Sequence, residues 1–119
     1  MTQLKLAILR YSPNLSTDAS VAFAILGHEL GTGAFVDTRF LHTWEPLLRL
    51  DGQADVELLS ALRDEIQNDW PDARKRAILL YIFTTSFSNS VLVQETSCVT
   101  VDPKAEMDNL AQKYFGTHS

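Results

Sequence analysis

Three apolar runs near the start of the chain constrain its fold most: Lys5-Leu6-Ala7-Ile8-Leu9-Arg10-Tyr11, Ser20-Val21-Ala22-Phe23-Ala24-Ile25-Leu26 and Phe35-Val36-Asp37-Thr38-Arg39-Phe40-Leu41. Each reads as a short strand. In the first, Leu4, Leu6 and Ile8 alternate with Lys5, Ala7 and Leu9, the period of two that a pleated strand requires. Pro13 and Asn14 stop it. The second runs to about Glu29 and is apolar on both faces, so it is expected to be covered on both. Leu30-Gly31-Thr32-Gly33 reads as a hairpin loop, since glycine takes positive φ without steric cost. A strand follows that Gly-x-Gly, so no helix N-terminus is there to cradle a phosphate.

The second half reads differently. A turn-rich stretch with Trp44, Pro46 and Asp51-Gly52 leads to the clearest helix, about Asp55 to Trp70. Val56, Leu59, Leu62, Ile66 and Trp70 recur every three or four residues and make one apolar stripe. Pro71 ends that helix by disfavouring α conformation in the residue before it. Over 77–83 the apolar run is continuous, and periodicity leaves helix and strand both open. The reading taken is a helix from near Asp72. Asn89 to Glu95 and Ser97 to Val101 read as two short strands. Asp102-Pro103 opens a last helix, with a capping carboxylate and then proline at the first helical position. Met107, Leu110, Ala111 and Tyr114 form its apolar face, and Gly116 sits where a C-terminal cap belongs. The predicted class is α+β: an antiparallel sheet of about four to five strands, with two or three helices packed on one face.

The 119 residues read as a single domain, 1–119, with an ordinary apolar share of 45%. Such a chain buries roughly two-thirds of its unfolded surface, enough for one core. The lone Cys98 excludes an internal disulfide and points to a reducing cytoplasm. No stretch approaches a membrane span. Residues 1–50 balance four basic against four acidic groups. Residues 51–119 hold six basic and eleven acidic groups, the source of the net charge of -5. Acidity opposes nucleic-acid binding, which draws on Lys and Arg displacing counterions. The basic cluster Arg74-Lys75-Arg76 reads as a solvated helix end.

Catalytic and metal constellations are not legible, and no cofactor is implied. His28, His42 and His118 lack the spacing of convergent zinc ligands. His28 and Glu29 point to opposite faces of a strand. Cys98 follows no activating pattern and reads as an inert buried thiol. Residues 84–90 are rich in hydroxyls, but without a glycine elbow they read as a loop or strand edge. Asp64-Glu65 and Asp69-Asp72 read as charge on a solvated helix.

The polar positions of most interest are Arg10 and Arg39, each within apolar sequence. Arg10 shares the strand face of Leu6 and Ile8, and Arg39 is expected on the face of Phe35 and Leu41. An inward guanidinium needs a carboxylate or carbonyl partner, and Asp37 and Glu45 are candidates. One reading is an ion pair pinning the sheet to its loops. The other is a contact with an anion or an acidic peptide, with Tyr11 and Trp44 as aromatic walls.

The order Leu9-Arg10-Tyr11-Ser12-Pro13, Val21-Ala22-Phe23-Ala24-Ile25-Leu26 and Thr38-Arg39-Phe40-Leu41, with Ser88-Asn89-Ser90-Val91 and the tail Val99 to Leu110, resembles the bacterial family catalogued as domain of unknown function 3037. That family's Glu-x-x-Asn-x-Gly-like segment entering the second strand is replaced here by Thr17, Ser20 and Ala22. Its members are often encoded beside HipA-like kinases, so the resemblance implies a kinase encoded alongside as partner. The expectation is a small cytoplasmic, non-catalytic protein-interaction module, with an anion binder or enzyme using the strand arginines as the alternative. An exposed edge among the later strands would also permit self-association.

Overall fold

The computed structural model describes residues 1–13, 20–85 and 91–116, and the side chains of all of these except 83–85. Four antiparallel strands form one sheet in the order β3-β2-β1-β4: β1 Thr2–Tyr11, β2 Val21–Glu29, β3 Phe35–Phe40 and β4 Val91–Thr100. The helices are α1 Glu45–Leu50, α2 Val56–Asp69, α3 Ala73–Thr85 and α4 Pro103–Phe115. The antiparallel sheet and the α+β class agree with the sequence.

The layering is richer than expected. Ala7, Leu9 and Tyr11 of β1 join Leu47 of α1, Leu59, Leu62 and Ile66 of α2, and Leu79 of α3 in one apolar cluster. On the other face, Leu4, Leu6 and Ile8 pack with Ile25 and with Met107 of α4. Three helices therefore lie over one face and the fourth covers the other, where the sequence reading had placed all helices on one side. The cause is visible in β1 and β2: both are apolar on both faces, so each face needs a cover.

Two β-bulges adjust the pleat. Opposite the Leu9/Arg10 step, Phe23 is an extra residue in β2, and both Phe23 and Ala24 enter the three-helix core. A second irregularity at Val36 separates Asp37, opposite Gly27, from Phe35, opposite His28. It puts Phe35 on the face opposite Arg39, which corrects the shared face read from strict alternation. Leu41 lies just beyond β3 and packs in the three-helix cluster.

Two local readings also change, and a third, the helix read from near Asp72, holds. The turn-rich stretch contains a helical turn and a half, α1, with Pro46 in its first turn where a missing N–H costs nothing. The two expected late strands are one unbroken strand, β4, in continuous register with β1 from Thr2↔Thr100 to Tyr11↔Val91. Asn89 and Ser90, assigned to the first of them, lie outside the described residues. The ambiguous run at 77–83 is helical, within α3.

The expected Asp102 cap is in place, and Asp55 adds one at the start of α2. Asp55 accepts from the Leu58 amide and Asp102 from the Ala105 amide. Gly31 and Gly33 take φ of 95° and 73° in the β2–β3 hairpin. Its backbone closes with the Glu29 amide donating to the Ala34 carbonyl at 2.8 Å.

Candidate functional site

Arg10 and Arg39 both emerge on the α4 face of the sheet, on strands separated by β2. Their surroundings differ. Arg39 donates to Asp37 of its own strand at 2.9 Å and to Asp108 of α4. Burial alone would depress this guanidinium, and the two carboxylates outweigh it and raise its pKa. Arg39 thus ties β3 to α4, an ion pair that reaches a helix where the ion-pair reading had a loop. Asp37 is the partner foreseen. Asp108 was not, because no local pattern links positions 69 residues apart.

Arg10 has no carboxylate among its described contacts. Its Nε donates to Gln94 Oε1 at 3.3 Å and its Nη1 to Ser20 Oγ at 3.4 Å. The guanidinium lies 5.5 Å from the centre of the Tyr114 ring, a cation–π distance. It borders a groove of about 460 Å³ with Leu92, Val93 and Gln94 of β4.

Tyr11 and Trp44, read as aromatic walls for the arginines, stand on the opposite face. The Tyr11 hydroxyl donates to Asp51 at 2.8 Å, and Trp44 Nε1 donates to Ser60 Oγ at 2.9 Å. Trp44 also tilts against Phe23, with ring centres 6.0 Å apart, and Arg63 lies over it. Both side chains fasten the helices to the sheet. The four sequence-derived site residues therefore do not converge, and Tyr114 supplies the aromatic contact that Arg10 makes.

The groove beside Arg10 opens along β4, and this strand is the least protected element of the sheet. Among the described residues β4, like β3 at the other edge, pairs with a single neighbour, β1. Its residues 94–97 are exposed, Val99 is 58% exposed and the following Val101 80%. From Thr96 to Val101 it carries no charge and no proline. No bulge interrupts its pairing with β1, unlike the two other strand pairs. Natural edge strands are usually blunted by lysine, proline or a bulge against pairing with another chain. Lys5, in an ion pair with Glu95 at 3.5 Å, is the nearest such device. Above the strand, α3 shows solvent an apolar pair one turn apart, Ile78 at 59% and Tyr81 at 68% exposure.

The hydroxyl-rich segment 84–90 supplies no site geometry: residues 86–90 lie outside the described residues, as do the side chains of 84 and 85. Cys98 is half-buried, and burial followed by the charge of Glu106 raises its thiol pKa, the opposite of activation. Asp72 accepts from the Arg74 amide at 2.9 Å as a helix cap. Asp69 pairs with Lys75. Among the described residues no group of three or more His, Cys, Asp or Glu side chains comes together as a metal site would require.

Arg76 was misread. Only 5% exposed, it leaves the basic cluster and turns into the core. Its Nε donates to the Trp70 carbonyl at 3.0 Å and its Nη1 to the Gly33 carbonyl at 2.8 Å, holding the hairpin against α3. A signal existed: Arg76 stands three and four residues before Leu79 and Leu80, on the helix stripe that faces inward. Comparison with family models, curated proteins and solved structures finds no match for this chain.

Proposed function

We propose that this protein is a non-catalytic interaction module that takes up an extended segment of another protein along the outer edge of β4. The supporting observation is the unblunted edge itself: uncharged from Thr96 onward, unbulged, and exposed. A strand added there gains main-chain hydrogen bonds, while side-chain pockets set specificity. Arg10 at the rim of the adjoining groove suits an acidic side chain of the incoming segment. Ile78 and Tyr81 suit an apolar one. The kinase encoded alongside that the family resemblance implies falls within this reading, and the single free thiol suits a reducing cytoplasm.

The test is capture of partners by the full chain from native lysate, compared with Val99→Lys and Arg10→Ala, each first checked for fold by circular dichroism. The expected result is a stoichiometric protein partner held by the wild type and lost from both variants. Light scattering on the free chain supplies the second arm. A dimer that Val99→Lys dissociates would make the occupant a second copy and overturn the reading, as would a partner retained by both variants.

A further inference from the structure

Two cations share one aromatic ring near the start of β4. The Arg10 guanidinium lies 5.5 Å from the centre of the Tyr114 ring, and the Lys113 ammonium lies 5.4 Å from it. Neither makes an ion pair among the described residues. Arg10 donates through Nε to Gln94 and through Nη1 to Ser20. Both acceptors are neutral oxygens, and neither bond uses Nη2. Both cations can be approached from solvent: Lys113 is exposed, and the half-buried Arg10 lines the groove of about 460 Å³ with Leu92, Val93 and Gln94. Like charges held this close repel each other, and an anion placed between them relieves the repulsion.

We infer that the segment added to β4 carries an acidic–apolar–acidic triplet, with its two carboxylates on the α4 face beside Arg10 and Lys113; this rests on the strand-addition reading above. Register supplies the spacing. Arg10 stands opposite Leu92, so Leu92 and Gln94 share its α4 face, while Val93 packs with the three-helix cluster. In an added strand, the residues opposite Leu92 and Gln94 therefore fall on the α4 face, two apart. The residue between them lies beside Val93 and is apolar. The donor set fits, since guanidinium and ammonium groups only donate and a carboxylate only accepts. Charges elsewhere set the phase. Glu95, paired with Lys5 at 3.5 Å, lies on the three-helix face, opposite Ala7. A slip of one residue would turn the acidic side chains onto that face, towards Glu95 and away from Arg10. Further along the α4 face, Glu106 stands near enough to Cys98 to raise its thiol pKa. Acidic residues are thus favoured at the Leu92 end of this face and opposed at the Cys98 end. The net charge of -5 repels an acidic segment from the rest of the surface, which adds to the preference for this place.

The probe is a synthetic peptide, acetyl-Thr-Glu-Val-Glu-Val-Thr-amide, titrated into the full chain in ¹H–¹⁵N spectra beside its counterpart with Gln for both Glu. The β4 amide peaks report strand addition by either peptide. The Glu peptide is expected to bind about tenfold more tightly than the Gln peptide at low salt. That margin should shrink in about 0.5 M sodium chloride, which screens exposed charges. Lys113→Gln, a change at an exposed position, should cut the margin to about threefold, and adding Arg10→Gln should remove it. Equal affinity for the two peptides, with β4 peaks moving for both, overturns the acidic triplet and leaves strand addition standing. β4 peaks that stay in place with either peptide at millimolar concentration overturn strand addition and the triplet with it.

Discussion

Single atoms decide how closely α4 approaches the sheet. A Cβ added to Gly27 would stand 3.1 Å from Met107 Sδ, tighter than ordinary packing, and 3.5 Å from Leu6 Cδ2, an ordinary contact. Met107 is fully buried and flexible, so Gly27→Ala should be absorbed by a small shift and cost about 1 kcal/mol. Gly27→Val should cost about 2–3 kcal/mol, because a branched side chain cannot share that space. Urea unfolding followed by circular dichroism gives both values; equal stability of Gly27→Val and wild type would show that α4 is not seated on this strand. Tyr11 offers a second residue-scale prediction. Burial, then the hydrogen bond and charge of Asp51, push its phenol up to about 12 from 10.0. The folded state holds this proton more tightly than the unfolded chain. That share of stability is intact below about pH 10 and lost as pH rises through 12. Tyr11→Phe should lose about 1 kcal/mol at neutral pH and show a shallower decline between pH 10 and 12 than wild type. Parallel alkaline declines would mean that the phenol does not carry the effect.

At the scale of elements, what was legible followed local rules and what was missed followed contacts distant in sequence. α2 was readable because its stripe and its Asp55 cap are both encoded within one segment. α4 was readable for the same reason, and Asp102→Ala should lower the unfolding free energy by about 1 kcal/mol. A loss under a few tenths would mean that Pro103 alone sets the start of the helix. β4 was divided at Thr96 because Glu95-Thr96-Ser97 is polar. Pairing with β1 carries the strand through that stretch, and a one-sided edge tolerates polar residues. The candidate site shows the same division. Alternation alone put Arg10 correctly beside Leu6 and Ile8. The bulge at Val36 broke the same inference for Arg39 and Phe35, because a bulge depends on the partner strand. Tyr11 and Trp44 were assigned to the arginines by closeness in sequence, and the sheet placed them on its other face.

For the whole molecule, a sheet covered on both faces but open along one long edge predicts a specific pattern of protection. β1 is paired on both sides, and Leu4, Ile8 and Leu9 within it are fully buried. Its amides should exchange only through global unfolding, together with those of β2. β4 hydrogen-bonds to β1 along one side only, so its amides should divide into two alternating sets. Those directed at β1 should be slow and those directed outward fast. Binding of an extended partner would slow the outward set by at least about a hundredfold while leaving β1 unchanged, since new main-chain bonds form only at the edge. Native-state hydrogen exchange on the free chain is decisive before any partner is in hand. If the outward amides of residues 94–100 are already slow in a chain shown to be monomeric, the edge is closed by the protein itself. Strand addition would then have nowhere to begin.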